Sequence, residues 1–333
     1  MILHPGILAL IAGSSIVFIM MLYACLLGIR IVIRWDIRSS SEEQLTLERK
    51  TYLVASIIKY ALGFEIISGL LFIYTVDDIH RLFVGAMCST GTLNANPVGW
   101  YALYTKVIIF FVSSIWIALN HIDRKAEDYP LVKPKYTALI FITLLIGLDL
   151  YFMTSFFSGL RPEIITSCCG SLFSESGTGM AADLAALPPK PMTWIFYITA
   201  FVFIGTALLC IKYRAGILRY TLSLLAIFSF VVSIASIISF ISLYIYEMPS
   251  HHCPFDIFQK NYHFIGYPLY ISLFSGVFFG IMPGIFQPLK KVPSLRQEIG
   301  QAENKWLIFS IVFMVIFVCI SSWPVVFGDL RID

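Results

Sequence analysis

GILALIAGSSIVFIMMLYACLLGIRIVI, residues Gly6–Ile33, decides the class of this chain. Its only charged side chain is Arg30, close to the C-terminal end. A helix rises about 1.5 Å per residue, so about 20 apolar residues cross a hydrocarbon core about 30 Å thick. Further runs of the same kind are Tyr52–Thr75, Gly99–Leu119, Tyr136–Leu160, Met192–Ile211, Tyr220–Tyr246, Phe264–Phe286 and Trp306–Val326. The whole chain follows suit. Of 333 residues, 58% are hydrophobic and 13% charged, and the mean hydropathy is +0.84. A soluble domain is about 45–50% apolar and about 25% charged, so lipid has to solvate much of this surface. The reading is an all-α polytopic integral membrane protein: a bundle of about eight transmembrane helices forming one domain over residues 1–333.

Charge orients the bundle. Of 23 Lys and Arg, the set around Arg30–Lys50, Arg124–Lys135, Lys212–Arg219 and Lys290–Lys305 outnumbers the other set about three to one. The other set holds only Arg81, Arg161, Lys190, Lys260 and Arg331. By the positive-inside rule the first set is cytoplasmic and both termini are extracytoplasmic. His4 is the only ionisable side chain before the first run, so the basic start of a signal peptide is missing and the run reads as an uncleaved span. The expected location is a bacterial inner (cytoplasmic) membrane, with lipid as the constant partner.

The cytoplasmic connections are short. Ser40 with Glu43 has capping-box spacing, and Ser294 with Gln297 starts a similar helix into the last span. No Gly-rich phosphate loop is present, which argues against a nucleotide or nucleic-acid partner. The three extracytoplasmic loops, 76–98, 161–191 and 248–263, hold the unusual chemistry. In the first, Ile79, Leu82, Phe83 and Met87 recur at helical spacing and predict an interfacial amphipathic helix. A turn-rich stretch, Gly91–Pro97, follows. Gly276, Gly280 and Gly284 in the seventh run share one face and read as a packing seam.

Of seven Cys, Cys88, Cys168, Cys169 and Cys253 fall in the outer loops, while Cys25, Cys210 and Cys319 lie in apolar runs where Cys is a small hydrophobe. His251 and His252 adjoin Cys253 in Ser250–Pro254. Three arrangements fit. Disulfides from Cys168 and Cys169 to Cys88 and Cys253 would staple the loops. A metal site drawn from Cys88, Cys168, Cys169, His251, His252 and Cys253 would suit a soft or borderline ion, a copper or zinc ion. A thiolate activated by a neighbouring His would exchange disulfides. Two imidazoles beside the Cys favour the metal, copper first, because a staple has no use for them. No C-x-x-C-H motif and no mid-span His are present, so no haem is expected.

Glu65, Lys106 and Asp149 are ionisable residues within spans, where an unpaired charge costs several kcal/mol. Glu65 and Lys106 lie at comparable depth and are expected to pair, or Lys106 to snorkel outward, leaving Asp149 protonated or hydrogen-bonded. No residue is assigned a catalytic or cofactor-binding role. The function expected is binding, handing over or transporting a soft metal ion, with an extracytoplasmic metal carrier as partner. The alternatives are a thiol–disulfide or electron-transfer oxidoreductase serving extracytoplasmic protein maturation, and a non-catalytic anchor or assembly subunit of a larger membrane complex with structural disulfides.

Overall fold

The computed structural model describes residues 2–36, 41–126, 128–161, 187–213 and 215–331. The described residues are helical, with no strand among them. Eight helices are long and apolar enough to cross a membrane. They are α1 Pro5–Arg34, α2 Glu42–Asp78, α3 Gly99–Asp123, α4 Val132–Ser158, α5 Pro189–Lys212, α6 Gly216–Tyr246 with a π turn at Ile237–Ile241, α7 Gly266–Phe286 and α8 Pro293–Phe327. Each contains the core of one apolar run. Two reach well beyond theirs because polar segments extend the helix. Ser41, not Ser40, caps α2: its hydroxyl accepts from Gln44 N at 3.3 Å. Ser40 lies outside the described residues, and Glu43 instead pairs with Arg34 at 2.5 Å. Likewise Ser294 lies inside α8, which starts at Pro293, and its hydroxyl donates to Asp128 at 2.9 Å. A proline at the first helical position loses no hydrogen bond, so α8 starts without a serine cap.

Contacts sort the described helices into two compact units. In the first, α1 packs on α2 and α4, and α3 packs on the same two. The buried positions of α1 include Ile7, Leu10, Ser14, Val17, Met21, Ala24, Gly28 and Ile31. They alternate by three and four residues, the seam of coiled-coil packing. The opposite face, with Ile16, Ile19, Tyr23 and Leu26, is exposed and apolar. Water would penalise that face and lipid would not. Trp116 ties α3 to α4 through the Lys135 carbonyl at 2.9 Å. At the turn between these helices Lys135 meets Asp123 at 2.6 Å.

The second unit holds α5, α6, α7 and most of α8. α6 packs on α5 and α7. The glycines of α7 are close-packing positions, but they face different helices: Gly276 faces α8, whereas Gly280 and Gly284 face α6, with α5 also beside Gly280. A Cβ on Gly276 would come within 2.8 Å of Met314 on α8, and Ser310 of α8 donates to the Gly276 carbonyl at 2.8 Å. Pro283 lies inside α7, and Ser223 of α6 fills in beside it. Its hydroxyl donates to Ile281 O at 2.8 Å and accepts from Gly284 N at 2.9 Å. Glu303 is held by both Arg219 and Lys290.

Two loop expectations need correction. The segment after α2 makes only a 3₁₀ turn, Ile79–Leu82, and no amphipathic helix follows. Gly85 at φ 86° breaks it. The stretch read as turns instead begins with a short helix, Ser89–Asn94.

Candidate metal centre

The loop between α6 and α7 is shaped by backbone that few side chains tolerate. Glu247, His263 and Phe264 take left-handed conformations at φ 55°, 52° and 56°, and 3₁₀ turns cover Asp256–Phe258 and Lys260–Tyr262. Tyr246, at the end of α6, clamps it. Its hydroxyl donates to Cys253 O at 2.5 Å and accepts from Ile257 N at 3.1 Å. From α7, Tyr270 donates to Pro254 O at 3.1 Å and stacks on Phe258. Gln259 reaches the segment after α2, donating to Met87 O at 2.8 Å.

These clamps bring Cys253 to Cys88. The two sulfurs are 3.4 Å apart, and both residues are fully buried thiols. Thr90 Oγ1 lies 3.5 Å from the Cys253 sulfur, which also accepts from Phe255 N at 3.4 Å. Asp256 completes the group: one ligand atom from each of Cys88, Cys253 and Asp256 lies within 4.8 Å of the others. Asp256 Oδ2 is 2.5 Å from His251 Nε2. Asp256 Oδ1 is buried and makes no hydrogen bond among the described residues. Burial, and then the nearby Asp256 and Cys253, push the Tyr262 hydroxyl above the usual phenol value.

The sequence candidates are therefore partly brought together. Cys88 and Cys253 meet each other, whereas the disulfide alternative would have joined each to Cys168 or Cys169. Those two cysteines lie outside the described residues. His251 hydrogen-bonds Asp256 and fixes the orientation of its carboxylate, as the partners of metal-binding side chains do. His252 turns away. Its Nδ1 is 2.9 Å from Ile238 O in the π turn of α6, a carbonyl displaced from the regular helical ladder. That gives His252 a structural task which the loop sequence does not reveal. Replacing His252 by Ala is expected to lower stability by about 1 kcal/mol, because Ser242 Oγ at 3.3 Å still reaches that carbonyl. The metal stoichiometry of the folded variant should be unchanged; thermal unfolding and metal analysis check the two halves of this expectation.

No protein-family model, curated protein or solved structure matches the chain. The chemistry of the site has to be read from its own atoms. Sulfurs bonded to one tetrahedral zinc at about 2.3 Å would be about 3.8 Å apart. A disulfide needs about 2.05 Å. At 3.4 Å the pair is nearer the first geometry. Asp256 was missed in the sequence, though a signal exists: it stands three residues after Cys253, where the second cysteine of a C-x-x-C pair would be.

Within the first unit the ionisable candidates on the long apolar helices do converge. Lys106 Nζ is 3.1 Å from Glu65 Oε2 and 2.7 Å from Asp149 Oδ2. Ser68 Oγ accepts from Lys106 at 2.9 Å, and Thr105 donates to Asp149 Oδ1 at 3.0 Å. Lys106 does not snorkel; its side chain is 3% exposed. Two acids share it, where the sequence suggested one pair and a separate Asp149. Lys59, midway along α2, is exposed.

Proposed function

We propose that this chain is an integral membrane protein that binds a soft or borderline metal ion through Cys88, Cys253 and Asp256 on its extracytoplasmic side. One observation carries the reading: two buried thiols converge with the carboxylate of Asp256, one oxygen of which is buried with no hydrogen-bond partner among the described residues. An unsatisfied buried acceptor is costly, and a cation bound there would remove the cost. Thiolates suit both copper(I) and zinc(II), but a carboxylate is a hard ligand that suits zinc better. The ligand set therefore shifts the expectation from copper towards zinc. Three protein ligands leave a fourth position for a carrier's side chain, and a ligand entering there as another leaves is the proposed mode of transfer.

The membrane orientation rests on the charge bias and the apolar exposed helix faces, with both termini and the Cys253 loop outside a bacterial cytoplasmic membrane. A cysteine placed at Asp329 should react with an impermeant maleimide on intact cells, and one placed at Lys125 should not. The reverse pattern would overturn the orientation.

Native mass spectrometry of the reduced, purified chain should find one bound equivalent after zinc loading. No bound metal under reducing, zinc-replete conditions would overturn the metal reading. The sulfur separation of 3.4 Å supports a second reading, thiol–disulfide exchange. There, Cys88 and Cys253 would pass two electrons and two protons to a disulfide substrate. A trapped mixed disulfide on the Cys88→Ser or Cys253→Ser variant, without metal uptake by the unsubstituted chain, would favour it.

A further inference from the structure

We infer that the Glu65–Lys106–Asp149 triad is a binding site for one small monovalent cation, a proton or a sodium ion, buried among α2, α3 and α4. The charge count motivates this. Two carboxylates surround one ammonium, and the side chains are 0%, 3% and 0% exposed for Glu65, Lys106 and Asp149. With all three ionised, the group carries one uncompensated negative charge in an apolar helix core, which low-dielectric surroundings strongly disfavour.

Neighbouring groups do not supply the missing charge. α1 packs on α2 and α4 and has no titratable side chain from Pro5 to Leu22. Glu65 on α2, Lys106 on α3 and Asp149 on α4 are the titratable groups that face one another here. Ser68 and Thr105 add neutral hydroxyls.

The position for the cation is marked independently. Glu65 uses Oε2 for Lys106 and Ser68, whereas its Oε1 is buried with no hydrogen-bond partner among the described residues. A proton on that oxygen would neutralise the triad. A sodium ion beside it would do the same with oxygen ligands, the donors hard cations prefer. Either ion leaves the Lys106 contacts in place. The site is separate from the thiol group and does not rest on the metal reading.

The test uses the full chain in detergent or nanodiscs, with sodium chloride and buffer protons as the probes. A bound proton gives a carboxylic-acid carbonyl band in the infrared spectrum at neutral pH, absent from both Glu65→Gln and Asp149→Asn. Bound sodium gives an unfolding midpoint that rises when sodium replaces choline at constant ionic strength, as preferential binding to the folded state requires, and the rise is lost in both variants. Each variant leaves a balanced pair of one acid and Lys106, so folding should survive. If one variant fails to fold, the other decides. The unsubstituted chain alone overturns the proposal if it shows neither the band nor the sodium dependence. The proposal is equally overturned if the signal shown by the unsubstituted chain persists unchanged in a folded variant.

Discussion

Lys106→Met should destabilise the protein by about 3–5 kcal/mol, the cost of breaking a buried ion pair by removing one partner. The methionine fills similar volume, so the loss is electrostatic. Glu65 and Asp149 would then lack the ammonium that stands 3.1 Å and 2.7 Å away. Glu65→Gln keeps an oxygen for Ser68 and Lys106 and leaves one acid on one base, so it should be near neutral. The triple change Lys106→Met, Glu65→Gln, Asp149→Asn removes all charge and should recover most of the loss. Thermal unfolding in one detergent ranks the variants. A Lys106→Met protein within about 1 kcal/mol of the parent would show that the triad is solvated rather than buried.

Cys253→Ser and Cys88→Ser should each weaken zinc binding by more than about 100-fold, beyond the about 10–100-fold lost when a group that only hydrogen-bonds a ligand is replaced. Serine keeps the volume and an oxygen for Phe255 N, so the loop clamps through Tyr246, Tyr270 and Gln259 remain. A hydroxyl is far less easily deprotonated than a thiol and is a poor partner for zinc. Asp256→Asn should cost at least about 10-fold, because the amide carbonyl lacks the charge. Competition with a chelator of known affinity measures all three. Equal affinity in parent and Cys253→Ser would place the metal elsewhere.

The fold was legible because about 20 apolar residues in a row say helix and membrane without reference to any neighbour. The seam of α1 repeats at regular intervals along the chain and needs no tertiary information. The ends were less legible. Ser40 has capping-box spacing to Glu43, but the residue that caps α2 is Ser41. The amphipathic spacing after α2 failed at Gly85, where one positive φ outweighs four apolar side chains.

The site was half legible. The charge bias led to an expectation that four cysteines share one face, but which sulfur meets which depends on loop clamps that no spacing rule encodes. His252 looked like a ligand because its acceptor, Ile238 O, exists only through a π turn fourteen residues earlier. Asp256 was hidden by its ordinary look in a polar loop; burial and an unpartnered oxygen are properties of the folded state. Lys106 was paired correctly with Glu65. The second acid was not foreseen, because Asp149 sits on a helix whose rotation about its axis the sequence leaves open.

The central claim is that Cys88, Cys253 and Asp256 hold one ion. X-ray absorption at the zinc edge of the reduced, zinc-loaded protein tests it most directly. The expected shell is two sulfurs at about 2.3 Å with lighter atoms at about 2.0–2.2 Å. A shell of nitrogen and oxygen alone would contradict it. So would reduced protein that takes up no zinc.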